Sequence, residues 1–341
     1  MVGFGATPHK KPSGHSARLS AANADSGKNA RYENPMRSSL LRLFYREGMA
    51  ITRVKAQPKT RRRLLISLIL LAFLLWCAWD TSNLMVTRYT IVSPRLPQRF
   101  DGFTIAQVSD LHNAVFGKEN ERLLALLQQA EPDIIALTGD LADSRHTDID
   151  AALAFVRQAA AIAPLYYVIG NHEARLAEYP AFEKELKALH VTVLHNQSAY
   201  LDRDSQRLRV AGMDDPGLQG SRLTREEEAQ VAENYLRAIG RSGDFTLLLS
   251  HRPKFLPLYA QYGMDAVLTG HTHGGQFRLP SLGAFFLPGQ GFFPRLDAGL
   301  FEEEGTQMVI SRGLGNSIIP LRILNRPELV VVDLKTSPGG D

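Results

Sequence analysis

The chain has 341 residues, 44% of them apolar, enough for a sizeable core, and its one cysteine, Cys77, excludes an intrachain disulfide. Its formal charge of +4 is a poor guide to partners: residues 1–63 hold 14 Lys and Arg against 3 acids, a surplus of 11, so the rest is net −7. The globular part is therefore mildly acidic, which excludes the basic footprint of a nucleic-acid-binding domain, and no obligate protein partner is implied.

Residues 1–63 read as a disordered basic N-terminal tail, rich in Ser, Ala, Gly, Asn and Lys and without a hydrophobic period over its first part. Within it, residues 38–54 set Leu40, Leu41, Leu43 and Phe44 among Arg42, Arg46 and Arg53, the pattern of a short helix, either lying on anionic lipid or unremarkable. Leu64–Trp79 is a run of 16 uncharged residues ending in Trp76 and Trp79. It is shorter than the roughly 20 residues of a full span, but its tryptophans suit a membrane interface. Arg61–Arg63 precede it and Asp80 follows, so the positive-inside rule places the N-terminus in the cytoplasm and the rest outside. Thr60-Arg61-Arg62-Arg63-Leu64-Leu65 also resembles a twin-arginine export signal, and no small-residue cleavage site follows. The expectation is an uncleaved signal anchor in a single-pass inner-membrane protein.

Residues 80–102, with Pro94 and Pro97, read as a linker, and 103–334 as the folded domain, leaving a short tail over 335–341. Strands are predicted at Phe103–Val108, Asp133–Thr138, Leu165–Ile169, Val191–Leu194, Arg207–Ala211, Phe245–Leu249 and Ala266–Leu268, with late strands at Met308–Ile310 and Leu329–Val332. Helices are predicted at Glu119–Gln129, Asp148–Ala163, near Phe182–Leu189, at Thr224–Ile239 and near Lys254–Tyr262. Thr224 with Glu227 three residues on has the spacing of a capping box. This alternation predicts a layered α/β fold whose chemistry collects beyond the carboxyl ends of its strands.

Five motifs sit at those strand ends: Asp110-Leu111-His112, Gly139-Asp140, Gly170-Asn171-His172-Glu173, Ser250-His251 and Gly270-His271-Thr272-His273. If extended, Asp110 and His112 face one point, as do His271 and His273. The glycines are expected to let the chain bend away from each strand so that the polar residues converge. A lone histidine is usually just a satisfied polar residue, but five of the ten histidines fall in these five segments. Carboxylates and imidazoles without a thiolate suit Mn, Zn, Fe or Mg. Two such cations about 3.5–4 Å apart clamp both the attacking and leaving oxygens of an in-line displacement, and they make hydroxide available near neutral pH. His9, His15, His146, His190 and His195 receive no role.

In this order the motifs resemble the calcineurin-like metallophosphoesterases, over roughly Phe103 to Leu334. Gly270–Gln276, Ser311-Arg312-Gly313-Leu314-Gly315 and Asn325-Arg326-Pro327-Glu328 are similar to the membrane-associated branch that includes the YkuE and YaeI phosphoesterases. The resemblance implies a four-layer α-β-β-α sandwich of two mixed sheets. It implies that Asp110, His112 and His273 bind one metal, that Asn171, His251 and His271 bind a second, and that Asp140 bridges both. It also implies attack by hydroxide from between the metals, with His172 giving a proton or hydrogen bond to the leaving oxygen. Glu173 is either a carboxylate orienting His172 or a solvated loop acid. Arg252 and Arg312 either hold phosphate oxygens or, the preferred reading, form structural ion pairs; Asn113 is a further candidate for touching phosphate.

The stretch Phe277–Leu300 carries Phe285, Phe286, Leu287, Phe292, Phe293 and Leu296 among three prolines. It reads either as a loop folded onto the core or as an apolar cap that receives a lipid tail or meets the membrane. With the anchor nearby, the expected substrate is a phospholipid or lipid-linked pyrophosphate; the resembled branch also suggests UDP-2,3-diacylglucosamine. Alternatives are a phosphomonoesterase or protein phosphatase, and a non-catalytic phospholigand receptor.

Overall fold

Pro58–Ser82 forms one helix of 25 residues, α1, in the computed structural model, which describes residues 58–219, 223–316 and 320–337. The readings of residues 1–57, including the amphipathic segment 38–54, lie outside the described residues. The helix does not stop at the 16 uncharged residues: helical backbone continues through the arginine turn before them and Asp80–Ser82 after them. At 1.5 Å per residue this gives about 37 Å, enough to cross a bilayer. Leu64–Leu75 expose their apolar side chains, and only Cys77 and Asp80 of the helix are buried.

Residues Arg62–Asp341 form one compact unit; of the other, Met1–Arg61, only the first helical residues are described. The strands are β1 (Met85–Ser93), β2 (Thr104–Val108), β3 (Ile134–Leu137), β4 (Leu165–Tyr167), β5 (Thr192–Val193), β6 (Gln197–Arg203), β7 (Gln206–Gly212), β8 (Thr246–Leu249), β9 (Ala266–Thr269), β10 (Arg278–Leu279), β11 (Gly283–Ala284), β12 (Phe286–Leu287), β13 (Gly291–Phe292), β14 (Gly299–Glu303), β15 (Thr306–Ile310) and β16 (Glu328–Thr336). The remaining helices are α2 (Glu121–Ala130), α3 (Ile149–Ala159), α4 (Tyr179–Ala188), α5 (Arg225–Ile239) and α6 (Leu256–Gln261).

Two six-stranded mixed sheets, ordered β1-β16-β2-β3-β4-β5 and β14-β15-β9-β8-β7-β6, carry the fold. Their inner faces meet in one core, where Ile105, Ala136, Val168 and Val332 of the first sheet pack near Val210, Leu247, Leu268 and Val309 of the second. A second core joins the first sheet to α2, α3 and α4, and a third joins the other sheet to α5 and α6. This is the expected four-layer α-β-β-α sandwich. The central strands are buried on both faces, which is why they read as unbroken apolar runs. Helix α5 starts at Thr224, whose side chain accepts from the Glu227 N–H while Glu227 accepts from the Thr224 N–H, the capping box read in the sequence.

The expected linker over 80–102 is a correction. Its Met85–Ser93 portion is β1, an edge strand parallel to β16 in register from Met85↔Glu328 to Ser93↔Thr336. Its β-branched and aromatic residues favour a strand, and one face stays open to solvent, so its apolar content is diluted with Thr and Arg. The edge strands β6 and β14 escape the sequence reading for the same reason.

Candidate metal centre

The strands β2, β3, β4, β8 and β9 deliver the five motifs to one end of the sandwich. Glycine has a different task there from the one expected. At Gly139 the backbone does turn with φ of +86°, but Gly170 and Gly270 are needed for room. A Cβ on Gly170 would stand 2.2 Å from Asp140 Oδ1, and one on Gly270 would stand 1.9 Å from Ser109 Oγ. The turning falls to the functional residues themselves. Asp110, His112, Asp140, His271 and His273 have φ between 45° and 71°, a left-handed region that side-chain-bearing residues seldom adopt. The pairs Asp110/His112 and His271/His273 therefore converge through left-handed turns and not through strand alternation. Such backbone is held only where its surroundings over-determine it.

The side chains named from the sequence come together. His112 Nε2 lies 3.2 Å from His273 Nε2, and His273 Nε2 lies 3.4 Å from Asp110 Oδ1. In a neighbouring group, His251 Nε2 lies 3.2 Å from Asn171 Oδ1 and 3.3 Å from His271 Nδ1. Asp140 Oδ2 touches both, 3.6 Å from His112 Nε2 and 3.2 Å from His251 Nε2. At such separations at most one of two facing imidazole nitrogens can carry a proton, so lone pairs are presented to common points. Asp110, His112 and His273, and likewise Asp110, Asp140 and His251, offer ligand atoms within 4.8 Å of one another. The donors are oxygens and imidazole nitrogens, a set that fits divalent cations.

The electrostatics divide the donors: His271 and His273 are held neutral, whereas the carboxylates around them draw His112 and His251 toward the protonated form. Burial pushes His271 and His273 well down, keeping them neutral and their nitrogens free to donate lone pairs. Burial also acts to lower His251, but the charge and hydrogen bond of Asp140, then Asp110 and Asp215, outweigh it and carry it up to about 10. Burial alone would raise Asp140, yet His251, then His112 and His172, hold it well below the carboxylate range.

His172 stands at the edge of this group, its ring edge-on to His112 with centroids 4.5 Å apart. Its Nδ1 accepts the Ser144 N–H at 3.0 Å, so in the neutral ring the proton sits on Nε2. Burial draws its pKa down to about 4.

Three roles were not readable in the sequence. Glu173 neither orients His172 nor faces solvent. It is fully buried and accepts the N–H groups of Asp140, Gly170 and Ala142 at 2.8, 3.0 and 3.0 Å, tying two motif loops together. Burial, followed by the nearby Asp140, raises it to about 7. Asp143 sits 3.3 Å from His112 Nδ1 and 3.6 Å from His172 Nδ1, and the three could themselves hold a cation. Asn325 donates from Nδ2 to the His273 carbonyl at 2.7 Å, while its own N–H donates to Asp80 Oδ2 at 3.1 Å. The last turn of α1 is thereby joined to a motif loop. The Ser311–Gly315 and Asn325–Glu328 motifs form the wall behind Asp110, where a Cβ on Gly315 would meet the Leu111 carbonyl oxygen at 2.2 Å.

Arg252 makes a bidentate ion pair with Asp215, at 2.5 and 2.9 Å, and a further pair with Glu228. Arg312 lies 3.7 Å from Glu328. Both are structural pairs, as the preferred reading had them. Asn113 donates to the His146 carbonyl at 2.7 Å.

Beside His271 and His273 opens a cleft of about 340 Å³, lined also by Phe277, Phe286, Leu287 and Pro288. The Phe277–Leu300 stretch folds into the hairpins β10–β11 and β12–β13, with Ala284 and Leu287 buried and Phe285, Phe286, Phe292 and Phe293 exposed. It is thus packed through Ala284 and Leu287 while those four phenylalanines stay exposed.

The sequence pattern of the calcineurin-like phosphoesterases matches residues 103–275. The chain is 30% identical over 258 residues to a Bacillus subtilis protein named uncharacterized metallophosphoesterase YkuE, covering 74% of this chain and 85% of that one. It is 28% identical over 249 residues to a Danio rerio protein named transmembrane protein with metallophosphoesterase domain, covering 71% of this chain but only 55% of that relative. Among solved structures, the phosphopantetheinyl hydrolase PptH of Mycobacterium tuberculosis aligns over 62% of this chain and 89% of its own, at 13% identity and a TM-score of 0.40. With its Asp and His donors gathered at the strand ends, the chain belongs to the calcineurin-like phosphoesterases, hydrolases that use two divalent metals.

Proposed function

We propose that the chain is a membrane-anchored hydrolase of phosphodiester or pyrophosphate bonds, acting on a lipid-linked substrate. The observation that carries the reading is the position of Asp140 Oδ2, shared between a group around His112 and a group around His251. Asp110, His112 and His273 would hold one divalent cation, Asn171, His251 and His271 the other, and Asp140 would join them. When bound, the cations supply Lewis acidity, lowering the pKa of water from 15.7 toward about 7 and offsetting charge on the phosphoryl oxygens.

The protein's own groups do the rest. Asp110 accepts the His271 N–H and the Ser109 hydroxyl, and Asp140 accepts the His172 N–H, so each carboxylate is aimed by hydrogen bonds from another motif. With Ser144 on Nδ1, neutral His172 keeps its proton on Nε2, which would serve the leaving oxygen as hydrogen-bond donor or general acid. The apolar lining beside His271 and His273 suits a substrate with a hydrophobic portion and sheds water from it. The arginines before the apolar run support, by the positive-inside rule, a catalytic domain outside the cytoplasmic membrane.

The test is metal-dependent hydrolysis by the purified full-length chain of p-nitrophenyl monoesters, p-nitrophenyl diesters and a polyprenyl pyrophosphate. Release of phosphate from the lipid pyrophosphate, or a strong preference for diesters, is expected. Turnover of the monoesters alone would assign the chain to phosphomonoesterases instead.

A further inference from the structure

The two hairpins after the last motif present more apolar surface than a water-facing loop needs. Phe285, Phe286, Phe292 and Phe293 are 41, 44, 65 and 51% exposed, with Leu282 at 63% beside them in the chain. Their rings hold one another: Phe285 lies 5.3 Å from Phe292 and 5.7 Å from Phe293, and Phe286 lies 5.2 Å from Phe292, centroid to centroid. Clustered exposed aromatics of this kind mark an interaction surface. From Phe277 to Leu296 there are two arginines and no acidic residue.

The occupant follows from what the hairpins are tied to. Ile323 donates to the Gln276 carbonyl and accepts from the Arg278 N–H, both at 3.0 Å. The residues flanking Ile323 grip the end of the apolar helix. The Arg322 N–H donates to Thr81 Oγ1 at 3.0 Å, the Asn325 N–H donates to Asp80, and the Arg326 guanidinium lies 5.5 Å from the Trp79 ring centroid. Trp79 and Asp80 are where the uncharged run ends, the position at which a spanning helix leaves the hydrocarbon for the interface. One short segment, 322–326, therefore holds the interfacial end of α1 on one side and the base of the aromatic hairpins on the other. Leu324 within it is itself 44% exposed.

We infer that the Phe285–Phe293 hairpins dock into the interfacial layer of the bilayer that α1 crosses, with the exposed Arg295 among anionic headgroups. Tryptophan-like depth at Trp79 and aromatic insertion at the hairpins set the domain on the membrane at two neighbouring points. Phe286 and Leu287 line the cleft beside His271 and His273, so the cleft opens at the lipid surface. The inference needs the anchoring part of the function proposed above, and not the identity of the substrate.

The test uses the full-length chain in vesicles of phosphatidylcholine and phosphatidylglycerol carrying nitroxide-labelled phospholipid. In a Cys77→Ser background, Phe292→Cys is labelled with a polarity-sensitive fluorophore. Asp204→Cys, in the β6–β7 turn at the far end of the second sheet, serves as reference. Trp76 and Trp79, the chain's two tryptophans, report insertion of the helix. The expected result is a blue-shifted label at 292, quenched several-fold more by nitroxide lipid than the label at 204 and shielded from aqueous iodide. Quenched tryptophans with equal, water-like behaviour at 292 and 204 overturn the docking while leaving the anchor. Unquenched tryptophans overturn both. A blue shift at 292 without lipid quenching assigns the surface to a second copy of the chain and overturns the bilayer assignment.

Discussion

His273 and Phe292 lie a short way apart in the chain and are held by unrelated means. Around His273, backbone in a strained region is pinned by buried polar contacts: Asn325 on its carbonyl, His112 against its ring, and Asp110 taking the N–H of nearby His271. Around Phe292, the ring neighbours are other exposed rings, and the hairpins are secured away from those rings: Asp297 accepts from Ala284 and Arg278, its carbonyl accepts from Thr272, and Arg225 donates to the Gly289 carbonyl in the β12–β13 turn. The first arrangement fixes donor atoms to within fractions of an ångström, as a metal centre requires. The second leaves a surface whose partner can slide, as a lipid does. Under the proposed function, chemistry belongs to the rigid region, and the choice of what reaches it belongs to the apolar one.

The sharpest way to break that division is to change chemistry without touching the scaffold. His172→Ala should lower kcat on a p-nitrophenyl diester by about 10²–10⁴-fold with metal content unchanged. Unchanged kcat would remove His172 from the reaction. Glu173→Gln probes the scaffold instead. An amide nitrogen would face an N–H that Glu173 now accepts, which costs about 1–3 kcal/mol of stability. Metal affinity should fall about 10–100-fold, as when a partner of a metal ligand is lost; calorimetric metal titration with wild-type affinity would contradict the tie between the Asp140 and Asn171 loops.

Asp80→Ala asks whether the end of the anchor supports the centre. It removes the acceptor for the Asn325 N–H and should weaken metal binding by less than Glu173→Gln does, with the p-nitrophenyl diester KM little changed. Equal metal affinity in wild type and variant would make α1 a tether only. The smallest effect is expected far from the cleavage chemistry, at His195. Its hydrogen bond to Asp214 at 2.9 Å, against the opposing effect of burial and with added help from Glu183, raises its pKa above the ordinary value of about 6.5. A raised value in the folded chain means its stabilisation is full below about pH 6.5 and is lost as pH climbs through the folded value. Denaturation midpoints of the wild-type chain should therefore decline relative to those of His195→Gln as pH rises above about 6.5; parallel curves would show that the pair contributes nothing.

Much of the rigid region was legible because its donors follow buried strands, and such strands announce themselves as apolar runs. Asp110, Asp140, Asn171, His251 and His271 each sit just past one. What the sequence could not convey is support arriving from afar. Asp80 and Asn325 are joined across 245 positions through a backbone N–H, which any residue but proline would offer. Glu173 read equally as a partner of His172 or a solvated acid, and its actual role was hidden because its three partners are backbone groups without a side-chain signature. Strand β1 hid among threonines and an arginine because an edge strand shows half its residues to water. The aromatic hairpins were visible as composition, but only their hydrogen bonds to Ile323 show what they stand beside.

The most direct measurement is the metal content of the purified chain and of Asp140→Asn, by elemental analysis under identical loading. Two divalent metals per wild-type chain and one or fewer in the variant are expected, with diesterase activity falling further than in His172→Ala. Two tightly held metals in Asp140→Asn would mean that Asp140 does not join the two groups, and would contradict the dinuclear reading of this site.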